Sequence, residues 1–321
     1  TSENQTYDGD VILGADTTLT TTNANIIFGS NLDGLYALSL TADTGDITVT
    51  GLVGATNPLS ALTITSGATV QFTESVAATG AILVTTANNV SFTDNVSAAS
   101  FTQKAGTGTT FNGTQNYTGN FAFTGNALSM NNTLTVGGTT TIANSGLFTT
   151  SNAGIIVATA GFSQTGTGTN SIGANITTAN NNISFAKSID LTQDIVLSTG
   201  TGAGNISFSE AINSQGEERL LDLDAGTGSI TFGSTVGASN PLRQLVLRES
   251  SQVSFNDDIR ASEGVITVAT TSDPCYWTSS TSINFPNTDI YFDHNDKTIT
   301  LNSNLSARNI YFYRGELNLA G

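Results

Sequence analysis

The sequence predicts an all-β fold, a right-handed parallel β-helix with rungs of about 19–24 residues. Three observations carry this: a long internal duplication, a short nested period, and strand-type alternation inside each repeat. The duplication pairs Gly45 to Phe72, GDITVTGLVGATNPLSALTITSGATVQF, with Gly228 to Phe255, GSITFGSTVGASNPLRQLVLRESSQVSF, at a constant offset of 183 and without a gap. It sets Pro58 on Pro241, Leu62 on Leu245, Ile64 on Leu247 and Phe72 on Phe255, and extends back through Leu38 and Leu40 onto Leu221 and Leu223.

The short period is nested inside. FTESVAA from Phe72 returns as FTDNVSA from Phe92, and IYF at Ile290 returns at Ile310, each 20 residues later. Phe185, Phe208, Phe232 and Phe255 follow one another at 23, 24 and 23. A period that drifts this way belongs to a structural repeat with variable turns.

Within each unit apolar residues alternate with Thr, Ser or Gln, as in Ile47/Val49, Leu62/Ile64 and Val70/Phe72. That is the period of a strand with one buried face. Turn formers punctuate the runs, as in GATN at 54–57 and TANN at 86–89. The best helical candidate, Glu217 to Leu223, is short, and its leucines fall on the strand alternation of 38–40. Rungs of about 22 residues divide the chain into roughly 14 to 15, with Phe and Ile inside and Thr and Asn outside. Right-handedness follows from the general preference of parallel crossovers. The expected organisation is one continuous β-helix over 1–321, with repeat shaft over 1–272 and more aromatic terminal rungs over 273–321.

Composition narrows the function. The chain has 321 residues, 9 basic against 25 acidic, for a net charge of −16. Only 11% are charged, far below the roughly 25% of average chains, whereas there are 54 threonines and 32 asparagines. Hydroxyls and amides, not charges, make such a surface soluble. An acidic chain repels phosphate backbones, so no nucleic-acid partner is expected. No run of 18 apolar residues is present, so no transmembrane helix is expected. Cys275 is the sole cysteine, which precludes an internal disulfide and reads, beside Tyr276 and Trp277, as a core thiol. The balance points to an exported segment.

The repeat text resembles that of large filamentous-haemagglutinin-like bacterial exoproteins. The resemblance rests on QTYDGDVILGADTTLT at Gln5 to Thr20, NIIFGSNLDGLYALSLTA at Asn25 to Ala42, the GDITVTGLVGATNPLSALTIT run, and FSQTGTGT from Phe162. It covers most of 1–272 and weakens beyond. It implies a β-helical adhesin shaft, exported by two-partner secretion through an outer-membrane partner. It further implies a place outside the cell or on its surface, where host or neighbouring-cell glycan or protein is the partner. No catalytic motif comes with it, and no cofactor or metal is expected.

Rival readings have their own residues. Asn287-Thr288-Asp289 is similar to the NTD motif of polygalacturonases, and Asp257-Asp258 to their paired carboxylates. The order is reversed, however, and His294 is the only histidine. Asp8/Asp10 and the DHND stretch at 293–296 offer hard oxygens for calcium, but the glycine-rich calcium nonapeptide does not occur. Several N-x-S/T triplets, among them those at Asn4, Asn89, Asn95, Asn112, Asn116, Asn131, Asn175 and Asn205, fit glycosylation in an exported protein. A self-assembling filament is the third reading, since bare strand edges invite head-to-tail association. The best candidate binding face is Tyr291, Tyr311, Tyr313 and Arg314. Strand alternation in IYF and IYFY turns Ile and Phe inward and stacks the tyrosines on adjacent rungs outside.

Overall fold

The computed structural model describes residues 1–267, 275–279 and 283–319, without the side chains of 284, 286 and 294–297. The described residues form no helix and wind as a parallel β-solenoid, about 14 turns of roughly 21 residues. They fall into two compact units, Thr1–Ile155 with Gly166–Gly168, and Ile156–Thr165 with Thr169–Gly321.

In the first unit a typical turn carries three short strands, such as Thr69–Phe72, Val76–Ala77 and Ala81–Val84. Each pairs in parallel with its equivalent on the next turn, Phe72 with Phe92 and then Phe111, Ile82 with Phe101 and then Phe121. In-register pairing places like side chains over like. Phe72, Phe92 and Phe111 stack at 5.0 and 5.2 Å with nearly parallel rings. In the second unit Phe185, Phe208, Phe232 and Phe255 stack at 6.0, 5.6 and 5.5 Å. All are buried, as the alternation requires. The short helical candidate is strand, Leu220–Asp224, paired in parallel with Gln244–Leu247.

The duplicated blocks fold alike, each within its own unit. In one, Val49 lies on Phe72 and Leu38 on Leu62. In the other, Phe232 lies on Phe255 and Leu221 on Leu245. The shared GAxNP loop is anchored the same way twice. Asp33 Oδ1 accepts the Thr56 and Asn57 N–H groups, and Asn213 Oδ1 accepts those of Ser239 and Asn240. Gly54 and Gly237 open these loops at φ 69° and 71°. A Cβ there would lie 2.3 Å from the Ala77 carbonyl oxygen, or 2.2 Å from that of Arg260, so neither position accepts another residue.

Asparagine has a structural use at the strand entrances. Asn4 Oδ1 accepts the Asn25 N–H, Asn25 Oδ1 that of Asp46, and Asp46 Oδ1 that of Thr69, each at 2.9 Å. In the second unit Asn182 accepts from Asn205 and Asn205 from Ser229, again at 2.9 Å. These side chains satisfy backbone donors where a turn leaves the ladder. Among the N-x-S/T asparagines, Asn4, Asn95, Asn175, Asn182 and Asn205 act this way.

The rule of Asn outside needs correction at the corners. Gln103, Gln115 and Asn144 in the first unit, and Gln164 and Asn170 in the second, are buried. They are tolerated because each finds a partner. Gln115 donates to the Gly113 carbonyl and accepts from the Tyr117 hydroxyl at 2.8 Å. Asn144 donates to the Gly146 carbonyl, and Gln164 accepts the Ala186 and Lys187 N–H groups. Buried amides so bonded hold the bends from inside.

Replacing Phe232 by Ala removes a ring from a closed stack and is expected to cost about 3–5 kcal/mol in urea unfolding. Phe312→Ala, on an exposed ring, should cost much less. Asn25→Ala should cost about 1 kcal/mol, and Asn25→Asp, which keeps the acceptor oxygen, should cost less.

Candidate functional site

The tyrosines stand on two strands of the second unit, Ile283–Leu301 and Leu305–Leu319. Their register sets Ile290 on Ile310, Tyr291 on Tyr311 and Phe292 on Phe312, then slips, so that Asp293 meets Arg314. The slip is a bulge that leaves Tyr313 over on its strand. Tyr291 and Tyr311 stack at 4.9 Å and 7°, and Tyr291 and Tyr313 at 6.3 Å and 8°. Three parallel rings result, with Tyr313 64% exposed.

Tyr291 is held from several sides. Its ring lies against Gly264, where a Cβ would come within 2.7 Å of Cε2, at a φ of 100° that also favours glycine. Its phenol feels the charge of Asp289, which accepts from Arg308 Nε at 2.7 Å and Asn309 Nδ2 at 2.9 Å. The Arg308 hydrogen bond above all holds the Asp289 carboxyl below its ordinary range. Desolvation first, then the Asp289 charge and the two neighbouring tyrosines, push the Tyr291 phenol up. Arg314 is bonded to Asp293 through Nε.

Beside the rings a groove of about 460 Å³ is lined by Gln244, Glu263, Ile266, Tyr291, Asp293 and Tyr313. Its size falls within the roughly 300–1,000 Å³ of small-ligand clefts. Glu263 and Gln244 belong to earlier turns and are near the tyrosines only through stacking, so the sequence reading missed them. The column that leads to them is legible once register is known: Val246 on Ile266, Ile266 on Tyr291, Tyr291 on Tyr311.

One detail of the expected face is overturned. Ile290 and Phe292 point inward and are fully buried, but Ile310 and Phe312 are 47% and 41% exposed. They occupy inward positions on the outermost described turn, where no described strand covers them.

The carboxylates of the enzyme reading are engaged locally. Asp257 accepts the Asp258 N–H, Asp289 serves Arg308, and Thr288 is buried against Ile259 and Ala261. Asp10 accepts from Ser30 and Asn31. The side chains of His294, Asn295 and Asp296 lie outside the described residues. Among the described residues no group of three or more His, Cys, Asp or Glu could hold a metal ion. No described helix is long and apolar enough to cross a membrane. Cys275 is buried, 3.7 Å from the Ser250 hydroxyl, and burial pushes its thiol up to about 11.

A carboxyl the sequence reading did not single out is Asp224. Burial raises it, as do the Glu249 and Asp222 charges, against the Gly226 N–H and Arg248. Arg248 itself grips Asp222 through Nε and Nη2 at 2.6–3.0 Å. No family model matches the chain, and neither a curated protein nor a solved structure does.

Because Asp224 is raised in the folded state, folding binds its proton more readily, and its charge is penalised at neutral pH. Asp224→Asn should therefore melt above the parent at pH 7. That advantage should shrink as pH falls through the raised value, in thermal unfolding followed across pH.

Proposed function

We propose that this chain is shaft from a large secreted bacterial surface protein similar to filamentous-haemagglutinin-like exoproteins. It is not an enzyme, and it presents a binding region to a glycan or protein on a host or neighbouring cell. The observation that carries this reading is the repeated turn itself. The two duplicated blocks reuse one loop anchor, and successive turns reuse aromatic stacks and Asn acceptors, a construction suited to spacing and display. The repeat text supports export by a dedicated outer-membrane partner, and the amide- and hydroxyl-rich surface suits life outside the cell.

The preorganised tyrosines are the binding region. Rigid aromatic anchors lose little freedom on binding and dominate many recognition surfaces. Self-association is a second reading, favoured by the exposed Ile310, Phe312 and Leu319 on the strand Leu305–Leu319. Sedimentation at rising concentration tests it, and a constant monomer mass would count against it.

The double substitution Tyr291→Ala with Tyr311→Ala, read on glycan and host-matrix arrays beside a melting curve, tests the main reading. Lost binding at little-changed melting is expected. Binding unchanged, or turnover of acidic or neutral polysaccharides by the parent, would sink it.

A further inference from the structure

We propose that the groove beside the tyrosines takes a pyranoside without acidic groups, and an amino sugar in preference to a neutral one. This rests on reading the tyrosine face as a binding region and names its ligand class.

Charge is the first argument. Two of the six described lining residues, Glu263 and Asp293, are carboxylates, and none of these six is basic. The nearby arginines are already bonded to carboxylates. Arg243 reaches Asp194 at 2.6 Å and Glu263 at 3.5 Å, Arg308 reaches Asp289, and Arg314 reaches Asp293. A uronate or sulfated sugar entering here meets two like charges and must break one of these ion pairs to engage an arginine. An ammonium meets Glu263 directly, whose own bond to Arg243 is the longer of that arginine's two, and a charge-assisted hydrogen bond is the strong kind.

Shape is the second. The apolar C–H face of a pyranose packs on a flat ring, and Tyr313 is the most exposed of three parallel rings at the groove edge. Gln244 adds an amide that both donates to and accepts from sugar hydroxyls. Tyr291 needs no rearrangement, since Gly264 and the ring stack already hold it. Depth is modest, so one or two sugar units of an oligomer would make most of the contact.

The test is titration calorimetry of the whole chain with three oligosaccharides of matched length: glucosamine, N-acetylglucosamine and galacturonate oligomers. The expected order of affinity is glucosamine, then N-acetylglucosamine, with galacturonate weakest. Glu263→Gln should weaken the glucosamine oligomer by about tenfold and leave the neutral one nearly unchanged, since one charge-assisted bond is lost. Tyr313→Ala, at an exposed position, should weaken both. Arg243 keeps Asp194 in the Glu263→Gln protein, so its melting should match the parent.

Galacturonate binding tightest would overturn the inference. So would glucosamine binding that neither variant changes, which would mark diffuse attraction to an acidic chain. Binding of no oligosaccharide, with a protein captured through Tyr291 and Tyr311, would overturn the sugar class and leave the binding face standing. Loss of all binding by that face would end both.

Discussion

Everything in this fold depends on register between successive turns. A strand in a parallel solenoid finds backbone partners only on the turns before and after it, so each turn must present equivalent residues at equivalent places. Once register holds, a phenylalanine on one turn lies over the phenylalanine of the next, and Phe185, Phe208, Phe232 and Phe255 become a single stack. Each ring contributes burial, and each aromatic pair adds about 0.5–1.5 kcal/mol beyond that. A shift of one residue would turn every such ring to solvent.

The same constraint explains the unusual composition. Where the chain enters a strand, its first N–H groups lie outside the ladder. Asn and Asp at the preceding turn supply the acceptors, as in the run from Asn4 through Asn25 and Asp46 to Thr69. Inside the corners Gln115, Asn144 and Gln164 do comparable work from the core side. A chain built on such bonds has little need of surface ion pairs, which add little stability when exposed. Among the described residues the ion pairs lie in the second unit, from Lys187–Glu210 onward.

The tyrosine face follows from register as well, with one irregularity added. In-register pairing stacks Tyr291 on Tyr311, and the bulge at Tyr313 brings a third ring parallel to them. Gly264 on the earlier turn leaves the space that Tyr291 occupies. Stacked rings and two carboxylates at the groove give this surface a definite chemistry before any ligand arrives. The raised Asp224 stands apart from it, among Asp222, Arg248 and Glu249.

By itself the sequence determined the parallel solenoid, the inward phenylalanines and the stacked outward tyrosines. All three follow from periodicity, and periodicity is written in the order of residues. Tertiary structure alone decided the rest: the buried Gln and Asn at the corners, the bulge that frees Tyr313, the exposure of Ile310 and Phe312, and the approach of Glu263 and Gln244 to the rings. Periodicity reports which side of a strand a residue faces. It does not report how many residues a given turn takes to close, and that number decides which side chains of neighbouring turns meet.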